Sequence, residues 1–176
     1  MGMRGGIRRV MARDMPRDAP DPQVRAAQIE AAMLAPGGEA LIYTEYFPTM
    51  LAVTGSAEEA GKAVVRFASD HPELPRIMFP VRTVLRSNGL EYLMADYLRG
   101  RLRRWSDEIA SAPRARAPKS RYATDAGYLA EILIEHQGDE EEITELLRTA
   151  AEYEPKDADA QQAFATWMAG RGARED

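Results

Sequence analysis

Apolar residues recur at helical spacing along most of the chain. The longest regular run is Leu90, Leu93, Met94, Tyr97, Leu98, Leu102, Trp105 and Ile109. It follows i, i+3, i+4 over twenty residues and predicts a helix about 30 Å long, the central packing element. A second segment, Ser56 to Asp70, buries Ala60, Val64, Phe67 and Ala68. Ser56 and Glu59 form a capping box at its start, and His71-Pro72 and Pro75 stop it. Asp21-Pro22 reads as an N-cap followed by proline in the first turn. Val24, Ala27, Ala31 and Leu34 then fall at helical spacing until Pro36-Gly37-Gly38 ends the run. Three short amphipathic segments close the chain. They bury Leu129, Ile132 and Leu133 in about 125–136, then Ile143, Leu146, Leu147 and Ala150 after an Asp139/Glu142 cap. The last, about 158–169, buries Ala160, Ala163, Phe164, Trp167 and Met168.

Two stretches are ambiguous. Residues 39–54 are too densely apolar for one clean face; a buried helix interrupted at Pro48 competes with a β-hairpin that pairs 40–47 with 50–54. Aromatic and β-branched content favours strand, while the pattern as a whole leans to helix. Ile77 to Arg86 reads as a helix beginning near Pro80, with a strand as competitor.

The expected fold class is therefore mainly α: an N-terminal helical bundle plus a small C-terminal three-helix module, with a β-hairpin at about 40–54 as the open alternative. Residues 112–121, Ala-Pro-Arg-Ala-Arg-Ala-Pro-Lys-Ser-Arg, hold two prolines, four cations and no large apolar residue, and read as a linker. The expected organisation is a basic N-terminal arm over 1–20, a helical core over 21–111, the linker over 112–121, an acidic module over 122–170 and a tail over 171–176. No apolar segment follows the N-terminal arginines, so a signal peptide is not expected. No run of about 18 apolar residues suggests a membrane span.

Charge sharpens this division. The 176 residues carry a net charge of −5, with 11 Lys/Arg against 12 Asp/Glu over 1–98, 8 against 2 over 99–121, and 4 against 14 over 122–176. The segments thus carry −1, +6 and −10. Such asymmetry points to binding surfaces.

Common catalytic chemistries are disfavoured one by one. There is no cysteine, which removes thiolate catalysis, disulfides and Cys-ligated metals and fits a reducing, cytoplasmic setting. Gly-x-Ser-x-Gly and the P-loop signature are absent. Thr54-Gly55-Ser56 precedes a helix N-terminus, but the capping box already uses those amides. The two histidines, His71 and His136, read as a helix-end residue and a core-edge residue, and Glu135-His136 lie about 100° apart on a helix, unlike a ligand pair. No cofactor or metal site is expected. Carboxylate and tyrosine chemistry around Tyr43, Glu45, Tyr46, Glu91 and Asp96 stays open, with no spacing that specifies a reaction.

The candidate binding residues are Arg99, Arg101, Arg103, Arg104, Trp105, Arg114, Arg116, Lys119 and Arg121, with Tyr122 adding a second aromatic face. One reading makes them a phosphate-binding patch; the other has the basic segment attract the acidic helices of the same chain. Arg101 projects into the apolar stripe between Tyr97 and Trp105. Either Gly100 breaks the helix and resets its phase, or Arg101 meets a core carboxylate or a partner. The leading functional expectation is a non-catalytic protein–protein interaction protein, an adaptor, inhibitor or assembly subunit, acting on a protein partner or as a homo-oligomer. Its Ala- and Arg-rich composition suggests a GC-rich genome, hence a bacterial or phage complex. A nucleic-acid-binding subunit using 99–121 is the first alternative, and an enzyme with a carboxylate or tyrosine site the second.

Overall fold

The structure, a computed structural model, describes residues 21–74 and 76–175, with side chains as far as Arg171. The expected basic arm over 1–20 lies outside the described residues. Within them the chain is mainly helical and contains no strand. The α-helices are α1 (Pro22–Met33), α2 (Phe47–Thr54), α3 (Ala57–Asp70), α4 (Met78–Ser87), α5 (Ala95–Ser111), α6 (Arg116–Glu135), α7 (Glu140–Tyr153) and α8 (Ala158–Glu175). No helix among the described residues is long and apolar enough to cross a membrane.

The hairpin alternative for 40–54 is overturned. A 3-10 turn (Gly38–Ala40) leads into a wide π-type turn (Ile42–Tyr46), which continues directly into α2. Pro48 supplies the reason. In a regular helix its ring would collide with the carbonyl four residues earlier, and it has no N–H to donate. Widening the preceding turn relieves the collision: the Phe47 N–H bonds to the Ile42 carbonyl, five residues back. The wide turn buries both Ile42 and Tyr46, and the Tyr46 hydroxyl donates to Glu30 of α1. Burial and the Glu30 carboxylate hold that phenol well above its usual pKa.

Proline is accommodated differently elsewhere. Pro80 and Pro118 each sit third in their helix, α4 and α6, where the missing N–H has no intrahelical acceptor in any case. The segment expected as a linker is therefore non-helical only over 112–115. From Arg116 it is the opening of α6, with Pro118 buried. The expected tail is helical as far as it is described, since α8 runs on to Glu175.

In α1 the buried residues are Ala26, Ile29 and Met33, whereas Val24 and Leu34 of the expected stripe are 52% and 46% exposed. The helix is apolar on more than one side, so spacing alone left its rotation undetermined. The long stripe from Leu90 begins as a 3-10 turn (Glu91–Met94) before α5 proper. Both anticipated caps form by half: Ser56 accepts from the Glu59 amide and Asp139 from the Glu142 amide. The glutamates do not reach back; Glu59 bonds Lys62 and Glu142 bonds Arg99.

The helices α5, α6, α7 and α8 pack in sequence, each against the next. Connections of a few residues between contacting helices make consecutive pairs antiparallel. The N-terminal helices pack α1 on α2, α2 on α3 and α3 on α4. One cluster of buried apolar residues runs through the chain from Ala26 to Ala150 and includes Met33, Ile42, Leu85, Leu98 and Leu129.

Two glycines give opposite expectations. A Cβ at Gly38 would stand 2.2 Å from the Ala32 carbonyl oxygen and 2.9 Å from the Met33 Cα, so Gly38→Ala must open the turn after α1 and should cost about 2 kcal/mol. A Cβ at Gly127, inside α6, meets nothing within 4 Å, and Gly127→Ala should add about 0.5–1 kcal/mol. Denaturant melts of both variants check the pair; equal effects of one sign would contradict it.

Candidate functional site

The face of α5 that carries Tyr97, Arg101 and Trp105 meets α6 at Asp125. The helix continues through Gly100 without a break, so no phase reset removes Arg101 from the apolar stripe. It meets a core carboxylate instead. The Asp125 side chain is 4% exposed. Its Oδ2 accepts from Arg101 Nε at 2.8 Å and from the Trp105 indole Nε1 at 2.6 Å. Arg101 also donates to the Tyr97 hydroxyl at 3.4 Å. Burial works against the Arg101 charge, but the Asp125 hydrogen bond and charge outweigh it, and the guanidinium pKa stands above its usual value. Burial raises the Tyr97 pKa, with Arg101 opposing.

Asp125 escaped the sequence reading although its signal was present. It lies four residues before Leu129 and eight before Leu133, on the buried face of its helix. A lone acid in an apolar stripe, matched by a lone Arg in the neighbouring stripe, is the pattern of a buried ion pair.

Arg101 and Asp125 also form part of the floor of a groove of about 970 Å³ between α4, α6 and the turn Gly38–Ala40. Helix α4 contributes Phe79, Arg82, Thr83 and Arg86; α6 contributes Arg121, Thr124 and Tyr128; Tyr43 and Arg76 stand beside them. Arg82 crosses the groove, 2.7 Å from Glu131 and 3.9 Å from the centre of the Tyr128 ring. It also pairs with Glu91 at 3.5 Å. Phe79 is 75% exposed and Tyr43 43%. Neither Arg76 nor Arg121 has a carboxylate within ion-pair distance among the described residues; Arg121 lies over the Trp105 ring at 5.2 Å.

The basic segment is largely engaged within the chain. Arg99 forms a two-pronged pair with Glu142 of α7 at 2.8 and 2.9 Å and also bonds Asp96. The Glu142 hydrogen bond leads the causes that raise the Arg99 pKa. Arg104 bonds Glu108 and the Pro72 carbonyl, and Arg116 lies 3.6 Å from Glu154. Lys119 sits over the Tyr153 ring, which Tyr122 meets edge-on. Trp105 is 5% exposed, ringed by Arg101, Arg104 and Arg121 at 5.2–5.4 Å. Arg103 and Arg114 are exposed.

The tyrosine and carboxylate group is dispersed. Glu45 pairs with Arg25, Tyr46 with Glu30, Glu91 with Arg82 and Asp96 with Arg99, while Tyr43 faces the groove. His71 ends α3 beside Glu73. His136 ends α6, exposed rather than at the core edge, and touches Tyr92. No group of three or more His, Asp or Glu among the described residues is arranged to hold a metal ion. Comparison of the chain with protein-family models, with curated proteins and with solved structures gives no match.

The ion pair makes a quantitative expectation. Arg101→Met leaves the Asp125 carboxylate buried with the indole as its remaining donor, and should cost about 3–5 kcal/mol. Asp125→Asn should also destabilise. The double variant, which keeps an amide oxygen for Trp105, should be more stable than the sum of the two single losses implies by about 2 kcal/mol. Urea melts of the three variants measure this coupling, and strict additivity would contradict the pairing.

Proposed function

We propose that the chain is a non-catalytic binding protein, an adaptor, inhibitor or assembly subunit, that holds another protein in the groove between α4 and α6. One observation carries the reading: Phe79 stands 75% exposed on α4 at the groove, with Tyr43 also in the open. Leaving a phenylalanine ring in water forgoes about 1.5–3 kcal/mol of burial, and exposed aromatics gathered at one groove mark interaction sites more often than scattered apolar residues do. Aromatic rings beside arginines are also the composition of interface hot spots.

The nucleic-acid alternative draws less support. It rests on the cations of 99–121, yet Arg99, Arg101, Arg104 and Arg116 each meet a carboxylate of this chain. Trp105, the expected stacking platform, lies in the interior. A polyanion would also face a chain of net charge −5.

Affinity capture with the whole chain from the cells that make it, after nuclease digestion, tests the reading. The wild type should retain a protein that Phe79→Ser loses, with the variant's thermal melt unchanged. Retention of the same proteins by both, or an eluate emptied by nuclease, would contradict it.

A further inference from the structure

We infer that the occupant of the groove is a short acidic amphipathic helix of a partner protein, its apolar side chains on Phe79 and Tyr43 and its carboxylates on Arg76, Arg86 and Arg121. The inference rests on the protein-binding reading above and adds the partner's chemistry.

Charge complementarity leads to it. Five arginines line the groove against two acids, Glu39 and Asp125. Asp125 is taken by Arg101, and Arg82 is taken by Glu131 and Glu91. Arg76 and Arg121 then face the groove with no carboxylate in ion-pair distance among the described residues. Arg86 is 57% exposed and only 4.0 Å from Glu91, its nearest partner. Two guanidiniums without a partner and a third only weakly held, around the exposed Phe79 and Tyr43 rings, ask for carboxylates flanking apolar side chains. Arginine suits this role because its planar fork grips a carboxylate with two parallel bonds.

The walls set the shape. Lining positions on α4 and the turn before it run from Arg76 to Ser87, and those on α6 from Ser120 to Tyr128. At 1.5 Å per residue these are roughly 16 and 12 Å, room for about two to three turns of helix. Two helical walls with a trough between them are the geometry that seats a third helix on its apolar face. A protein segment fits better than a nucleic-acid strand. A strand brings a phosphate with every nucleotide into the field of an acidic chain, whereas a helix with two or three carboxylates brings only what the free arginines neutralise.

The test is selection of random twelve-residue peptides displayed on phage against the whole chain, with counter-selection against Phe79→Ser/Arg121→Glu. Enriched peptides should carry two or more Asp/Glu and large apolar residues spaced i, i+3 or i+4. Labelled copies should bind about tenfold more weakly to Arg76→Glu and to Arg121→Glu. Both positions are exposed, and unchanged circular dichroism certifies the variants. Groove-dependent peptides that are neutral or basic, or that lack helical spacing, would overturn the acidic-helix inference and leave the protein-binding groove standing. Selection with no groove dependence would overturn both. Displacement of the peptides by oligo-dT would overturn the inference in favour of nucleic acid. Self-association that Arg121→Glu dissolves, read by sedimentation, would overturn it in favour of a second copy.

Discussion

The Asp125 carboxylate is the constraint around which the long helices are arranged. A carboxylate taken out of water costs several kcal/mol unless donors converge on it. Here two donors from α5 reach one oxygen, the Arg101 guanidinium and the Trp105 indole. They stand four residues apart on the same helical face, so satisfying both fixes the rotation of α5 and its height along α6 together. Leu98, Leu102 and Leu129 are buried beside it, but apolar packing is tolerant of register. The buried polar pair is not, because any slide strands a charge. The same Arg101 and Asp125 then form the floor of the groove, whose shape is thereby tied to the α5–α6 register.

The uneven charge of the sequence resolves into cross-helix pairs. Arg99 ties α5 to α7 through Glu142, Arg116 ties the start of α6 to the end of α7 through Glu154, and Arg171 lies 3.6 Å from Glu140. Most of these pairs are partly exposed and individually weak. Their effect is to use up much of the basic segment inside the fold. Of that segment Arg121 lines the groove, where Arg76 and Arg86 from the other wall stand with it beside Phe79 and Tyr43. Arg82, bonded to Glu131 and lying on Tyr128, joins α4 to α6 across it and holds the two walls at a set distance.

Much of the helical architecture was legible in local sequence. The starts at Asp21, Ser56 and Asp139, and the stripes of α3, α5 and α7, depend on residues within a few positions of one another. What was not legible involved competition or distance. Pro48 read as an interruption, Pro80 as the start of a helix and Pro118 as part of a linker; Pro80 and Pro118 sit where a missing N–H is harmless, and Pro48 is absorbed by a π-type turn. The rotation of α1, which buries Ala26, Ile29 and Met33 and brings Glu30 to Tyr46, was not fixed by its own weak pattern. The candidate site was seen in part. Arg101 was marked as an anomaly by its place in an apolar stripe, yet its partner lies 24 residues away. The groove joins residues near 40, 76–87 and 120–128, and no local pattern links segments so far apart.

The Trp105 indole proton reports on the Asp125 anchor directly. Its resonance, assigned by comparison with Trp167, can be followed by hydrogen exchange in native conditions. Held between α5 and α6 on a buried carboxylate, it should exchange only as fast as the whole chain unfolds, with the rate tracking global stability as denaturant is added. Exchange within minutes while the backbone amides of α5 and α6 stay protected would show that the indole is not bound there, and would contradict the central place given to Asp125.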